Sequence, residues 1–185
     1  MKKYSLILLL SFIFLSACSN GSANTGPRML GNTDAKVLIE EFSDPQCPAC
    51  AVISPAVEQL VRENPDLVRL EYYHFPLSYH EYSFIAAEAA ECAGDQGKFF
   101  EYLGTLFKNQ HSLSEDFFDN VANSLDLDRT KFDTCLDNHD HKAKILSHMA
   151  EGKRRGLPGT PTLYVNGQII RWSGAETFKA YLESL

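Results

Sequence analysis

Apolar positions along this chain alternate between a strand-like and a helical spacing. Val37 to Phe42 carries apolar residues on both faces, as a strand in a covered sheet would. Ser43-Asp44-Pro45-Gln46 then reads as a turn. Ile53, Val57, Leu60 and Val61 continue as a helical stripe to about Asn64, with Pro48 suited to the first helical position and Pro55 expected to kink it. Leu67 to Phe75 predicts a second strand, closed by Pro76. From Glu81 to about Gly156 the period is helical throughout. Ile85, Ala89, Cys92 and Ala93 share one face, as do Phe99, Leu103, Leu106 and Phe107. Ser114 is a candidate N-cap with Leu113 placed to staple onto Phe118. Asp128 opens a helix that turns Phe132, Cys135 and Leu136 inward, and Ile145, Leu146, Met149 and Ala150 mark another. Strands return at Thr162–Val165 and Gln168–Trp172, joined by the two-residue hairpin signal Asn166-Gly167, and Glu176–Leu185 closes as an amphipathic helix. The order is strand, helix, strand, a helical block of roughly 75 residues, then hairpin and helix: an α/β chain with an inserted helical segment.

The first residues follow a different rule. Lys2 and Lys3 precede an apolar run of about 14 residues, too short to span a bilayer, so residues 1–17 read as an export signal. Leu15-Ser16-Ala17-Cys18 resembles the lipobox of bacterial lipoproteins, in which the Cys becomes acylated and anchors the protein to a membrane; an ordinary secretory signal cut near Ala17 is the alternative. Residues 18–28, rich in Ser, Asn and Gly, are expected to be a flexible tether with a reach of roughly 16–19 Å. Residues 29–185 suffice for one domain with its own core, with the insertion at about 81–156. Losing residues 1–17 removes two lysines and no acid, which moves the net charge from −7 to −9. Nucleic-acid binding, which needs clustered positive charge, is excluded on that balance.

Cys47-Pro48-Ala49-Cys50 is the candidate chemistry. Export lets disulfides persist, so four cysteines beyond Cys18 (Cys47, Cys50, Cys92, Cys135) read as redox pairs or framework. Closing so short a ring contributes only roughly 2 kcal/mol, which leaves such a disulfide open to attack by other thiols. Exchange needs a thiolate, and Cys47, at a helix start, lies where unpaired N–H groups favour an anion; Cys50, one turn in, suits the resolving role. An inert disulfide and half of a zinc site are the alternatives. Zinc needs two further ligands at suitable spacing, and His139-x-His141 lies far along the chain, where it reads as the decoration of a solvated helix end, so no metal is expected. Thr160-Pro161, before the hairpin, could hold a cis bond and leave backbone open for an extended substrate to pair with.

On these residues the chain resembles a DsbA-like thiol:disulfide oxidoreductase of the thioredoxin superfamily, in lipoprotein form. The resemblance rests on Glu41-Phe42-Ser43 leading into Cys47–Cys50, Ala86-Ala87-Glu88-Ala89-Ala90 with Gln96-Gly97-Lys98-Phe99, Gly159-Thr160-Pro161-Thr162, and Val165-Asn166-Gly167, and it covers Lys36 to Leu185. It implies a thioredoxin fold with an inserted helical domain, a cis Pro161 facing the disulfide, Cys47 as nucleophile and Cys50 as resolving Cys. Glu41 matches the family's buried acid beneath the disulfide, able to exchange protons with Cys50, whereas Glu40 points to the other face of the strand. Relatives with strong oxidising power often carry His between the cysteines. Pro48-Ala49 lacks it, so the Cys47 thiolate should be less stabilised and the pair less oxidising. Cys92 and Cys135, on apolar helix faces, fit either core thiols or a staple; export favours a structural disulfide over an electron relay.

The expectation is therefore a membrane-tethered, extracytoplasmic enzyme that forms disulfides in reduced or unfolded exported proteins. It needs no cofactor, acts as a monomer, and is recycled by a membrane partner of the DsbB or vitamin-K-epoxide-reductase type. A reductase or isomerase using the same pair, and a lipoprotein that holds unfolded chains without turnover, are the alternatives.

Overall fold

The computed structural model describes residues 25–185. The segment read as an export signal, the candidate acylation site Cys18 and the expected tether up to residue 24 lie outside the described residues. Five strands, β1 (Arg28–Leu30), β2 (Val37–Ser43), β3 (Val68–His74), β4 (Thr162–Val165) and β5 (Gln168–Ile170), form one sheet in the order β1-β3-β2-β4-β5. β2 and β3 run parallel, with α1 (Pro48–Glu63) crossing between them, and every other pairing is antiparallel. Arg28, expected to end the tether, is instead the first residue of β1 and pairs with Tyr72. At three residues, β1 is too short to print a period in the sequence.

Helices α2 (Ser83–Gly94), α3 (Phe99–Lys108), α4 (Glu115–Ser124), α5 (Arg129–Asp137) and α6 (Lys142–Arg154) stand between β3 and β4, and α7 (Ala175–Glu183) ends the described chain. Their starts follow local chemistry. The Ser114 hydroxyl accepts from the Phe117 N–H at 3.2 Å and the Asp128 carboxylate from the Lys131 N–H at 3.2 Å, each satisfying a donor the helix itself leaves open. Asn166 and Gly167 both take positive φ (48° and 80°), as the tight hairpin between β4 and β5 requires. Among the described residues, no helix is long and apolar enough to cross a membrane.

Two cores result. Val37, Ile39, Val57, Val61, Leu70 and Phe178 pack α1 and α7 against one face of the sheet. The second core lies within the helical block, around Ala90, Tyr102, Leu106, Phe118 and Phe132, and extends to Tyr72 and to Cys47 and Cys50. The face pattern foreseen for α2 is too narrow. Ala86, Ala87, Glu88, Ala89, Ala90, Glu91, Cys92 and Ala93 are all buried, because small side chains let neighbours close in on every side. Cys92 of α2 and Cys135 of α5 are joined by a disulfide.

Glu91 of α2 gathers the elements around it. Its carboxylate accepts from Arg28 Nε (2.7 Å), Lys144 Nζ (2.9 Å) and the ring of His74 (2.9 Å), tying β1, α6 and β3 to one buried atom pair. Burial opposes its charge, the His74 hydrogen bond favours it, and the Lys144 and Arg28 cations hold it well below the usual carboxylate range. His148 of α6 accepts from the His74 N–H at 3.1 Å and reaches the Thr25 carbonyl at 3.0 Å, an arrangement that suits the neutral ring; burial pushes it down to about 4. His139 and His141 sit in the α5–α6 turn and do not simply face solvent: they reach Glu88 of α2 (2.9 Å) and Asp95 just past its end (2.7 Å).

Glu91→Gln keeps the shape and removes the charge. It should cost about 3–5 kcal/mol, since breaking a buried pair leaves cations unmatched. A urea midpoint equal to wild type would show that Arg28 and Lys144 do not depend on it. Replacing Cys92 and Cys135 together with Ala should cost about 4 kcal/mol from the released loop. Unfolding with and without a reducing agent, with Cys47 and Cys50 replaced by Ser in both proteins, checks this: the reductant should lower the midpoint of the protein that keeps Cys92 and Cys135 and leave that of the one lacking them in place.

Candidate functional site

β2 ends at Ser43, and the chain turns through Asp44, Pro45 and Gln46 into Cys47, the N-cap of α1, with Pro48 at the first helical position. Asp44 is fully buried and accepts four hydrogen bonds: from the Gln46 N–H (2.7 Å), the Ser83 hydroxyl (2.5 Å), the Leu77 N–H (2.8 Å) and the His80 ring (2.8 Å). Gln46 in turn accepts from the Tyr82 N–H at 2.8 Å. From the far side of the helical block, the Gln110 amide donates to the carbonyls of Pro45 (2.9 Å) and Cys47 (2.8 Å). The turn that carries the cysteines is thus held by three other segments.

No side chain caps α1, so its first N–H groups remain available to the sulfur of Cys47. The Cys50 thiol, the Thr160 side chain and the N–H groups of Cys50 and Ala49 favour the thiolate, outweigh partial burial, and bring Cys47 down to about 5. When protonated, its thiol donates to the Thr160 carbonyl, 3.4 Å away. Cys50 has no exposed surface. Burial first, then the neighbouring Cys47, pushes its pKa far up, against the opposing pull of the Ser43 hydroxyl and the Asp44 N–H. The thiolate is thus favoured at Cys47, which keeps 7% of its surface exposed, and the thiol at Cys50, which keeps none.

Glu41 is fully buried, on the same strand as Ser43 and one residue from Glu40. Burial raises its pKa to about 7; Ser54 and Ser43 pull it down and Glu58 pushes it up. The Ser54 hydroxyl donates to Glu41 Oε1, and Ser54 Oγ stands 2.9 Å from Ser43 Oγ. Glu40, on the other face, forms an ion pair with Arg155 at 2.8 Å, whose guanidinium lies over the rings of Phe42 and Tyr164.

Pro161 follows a cis peptide bond from Thr160. Beside it runs a groove of about 550 Å³ lined by Ile53, Pro158, Pro161, Ile169, Ile170 and Trp172. Cys47, Cys50, Glu41, Thr160 and Pro161 therefore meet at one place, whereas Cys92 and Cys135 bond to each other within the helical block. Their sulfurs and a ring nitrogen of His141 lie within 4.8 Å of one another, but sulfurs spent in a disulfide leave His141 as the one ligand of that trio. Sequence reasoning missed Ser43, Ser54, Asp44, Gln46 and Gln110. Ser43 stands two residues after Glu41 on one strand face, and Ser54 four after Cys50 on one helix face, so strand and helix spacing could have found both.

The family model for thioredoxin matches residues 23–184. Among solved structures, a thioredoxin-like oxidoreductase from Silicibacter pomeroyi DSS-3 is similar at 26% identity, covering 87% of this chain and 92% of the other, with a TM-score of 0.72. The thiol-disulfide exchange protein alpha-DsbA2 from Wolbachia pipientis shares the fold at 19% identity, with 87% of each chain covered and a TM-score of 0.77. Oxidised BdbD from Bacillus subtilis does so at 23% identity, with 88% and 94% covered and a TM-score of 0.71. A sequence relative is the Na(+)/H(+) antiporter NhaA 1 of Salinispora arenicola, 35% identical over 139 residues that make up 75% of this chain and 21% of the antiporter. Another, the antiporter NhaA of Herminiimonas arsenicoxydans, is 32% identical over 155 residues, 83% of this chain and 25% of that protein. The chain thus spans a fifth to a quarter of the length of these relatives. With the thioredoxin model running through nearly all of the sheet, the helical block and the Cys47 turn, the chain belongs to the thioredoxin family, as a DsbA-like member of that superfamily.

Proposed function

We propose that this protein is an extracytoplasmic thiol:disulfide oxidoreductase that forms disulfides in exported proteins, held at a membrane by acylation of Cys18. The observation that carries the reading is the contrast between Cys47, lowered to about 5 at the uncapped start of α1, and Cys50, wholly buried and raised. A sulfur that is stable as a thiolate is a good leaving group, so the reduced form is favoured and the disulfide is oxidising.

In the forward direction, a substrate thiolate attacks Cys47 of the Cys47–Cys50 disulfide. Cys50 leaves and takes up a proton. A second substrate thiolate then attacks the substrate sulfur of the mixed disulfide and releases Cys47 as a thiolate, so two substrate thiols become one disulfide and the pair is left reduced. Glu41, raised to about 7, is both a proton donor and an acceptor near neutrality for Cys50. The Thr160 backbone and Pro161, beside Cys47, receive an extended substrate segment, and the groove, apolar at Ile53, Ile169 and Trp172 and polar at Thr162 and Arg171, suits mixed side chains. Recycling falls to a membrane oxidant of the DsbB or vitamin-K-epoxide-reductase type. The antiporter names of the sequence relatives describe far longer proteins, and ion transport is not carried over to this chain.

Cys47→Ser should abolish turnover of a reduced, unfolded dithiol substrate, and Cys50→Ala, offered a disulfide-containing peptide whose bond the Cys47 thiolate attacks, should accumulate a mixed disulfide visible by mass spectrometry with the peptide's other sulfur released as a thiol. Full activity in Cys47→Ser would overturn the reading. The reduction potential against glutathione decides direction: a value near that of thioredoxin (about −270 mV) would assign a reductase, and one well above it an oxidase. Glu41 gives a separate check through stability. Its folded pKa lies above the unfolded value of 4.5, so its contribution is fully present below pH 4.5 and is lost as pH rises through 7. Glu41→Gln should remove that slope and exceed reduced wild type by about 3 kcal/mol at alkaline pH. Parallel stability–pH curves for the two proteins would show that Glu41 ionises at its ordinary pKa.

A further inference from the structure

Resolution by Cys50 requires its proton to leave a site with no exposed surface. Glu41 is a fully buried acid with a raised pKa, and no direct hydrogen bond joins Cys50 to it among the described residues. Two buried serines connect to both. Ser54 lies four residues after Cys50 on α1, so it sits one turn below the thiol on the same face, and its hydroxyl donates to Glu41 Oε1. Ser43 lies two residues after Glu41 on β2, its Oγ 2.9 Å from Ser54 Oγ, and its hydroxyl is among the groups that pull the Cys50 pKa down. Both hydroxyls are buried, at 0% and 4% exposure, so bulk water does not compete for them. Glu41 Oε2 has no hydrogen-bond partner among the described residues, which leaves Ser54 as the group in hydrogen-bond contact with this carboxyl.

We propose that Ser43 and Ser54 form a two-hydroxyl relay that carries the proton between Cys50 Sγ and Glu41 Oε1. The inference rests on the exchange activity proposed above. When Cys50 attacks a mixed disulfide at Cys47, the Cys50 S–H bond breaks and the Cys47–Cys50 bond forms, while the substrate sulfur leaves as a thiolate. The proton passes to Ser43 Oγ, the Ser43 proton to Ser54 Oγ, and the Ser54 proton to the Glu41 carboxylate, which ends as the acid. When a substrate thiolate attacks the disulfide, each transfer runs backwards and Cys50 is protonated as it leaves. A hydroxyl both donates and accepts, so the two serines return to their starting state after each pass in opposite directions. Other titratable groups facing the path are Glu58 of α1, Tyr72 of β3 and Asp44 of the turn. Burial holds the Tyr72 phenol well above its ordinary range, so it stays protonated and is not the carrier.

The test follows a Cys47 mixed disulfide with a coloured aromatic thiol in stopped flow, where Cys50 displaces the dye. Wild type should show a rate inflection near pH 7. Ser54→Ala should lose it and slow by about 10²-fold at neutral pH, the low end of what positioned acid–base groups contribute. Ser43→Ala and Glu41→Gln should match it, Ser54→Ala/Glu41→Gln should be no slower than either single variant, and Ser54→Thr should restore the profile. Ultraviolet titration of the Cys47 thiolate should be unchanged in all of them, which a misplaced helix would not permit. An inflection retained in Ser54→Ala, or multiplied losses in the double variant, would overturn the relay while leaving exchange intact. A wild type that releases no dye would bring down the exchange reading, and the relay with it.

Discussion

Four donors converge on the Asp44 carboxylate, and the geometry of the redox pair depends on that convergence. A buried carboxylate with open lone pairs would be costly, so the Leu77 and Gln46 N–H groups, the Ser83 hydroxyl and the His80 ring must all arrive together. They come from the turn itself, from the chain after β3, and from the first turn of α2. The β2–α1 turn is therefore bound to the entrance of the helical block, and Gln110 locks it from the other end. That binding lets the chain leave the amino end of α1 uncapped. The unspent N–H groups face the Cys47 sulfur, and a helix end that would otherwise need a polar cap has a reactive anion in its place.

Burial then separates two chemically identical residues. Cys47 and Cys50 share one helical turn, but the first reaches the Thr160 loop and the surface, and the second faces Ser43 and the sheet. The same low dielectric that disfavours a Cys50 thiolate also disfavours a Glu41 carboxylate, and so brings the acid into the range where it can give or take a proton. A more solvated site would lose both effects together.

Much of this was legible because some features are written within a few residues. Ser114 and Asp128 announce helix starts, Asn166-Gly167 a hairpin, and Cys47-Pro48-Ala49-Cys50 with Thr160-Pro161 a redox site. What the chain did not reveal depends on partners distant in sequence. Glu91 looks like one more acid on a helix until Arg28, His74 and Lys144 are brought to it by three separate elements. The alanines of α2 suggest a single apolar face, and only the closure of neighbouring helices buries the whole circumference. Asp44 read as a turn residue, which it is, but its burial is set by a loop more than thirty residues on.

β1 enters antiparallel on β3, with Arg28 opposite Tyr72 and Leu30 opposite Leu70, so the polypeptide arrives at the sheet from the end where Ser43 and His74 lie. That end also carries Cys47. A leash attached upstream would therefore hold the molecule by its working rim and not by its back, with the load met by the Thr25–His148 and Arg28–Glu91 contacts instead of by the redox turn. Such a protein would scan a shallow layer above the surface that holds it, within easy reach of a bilayer-embedded oxidant.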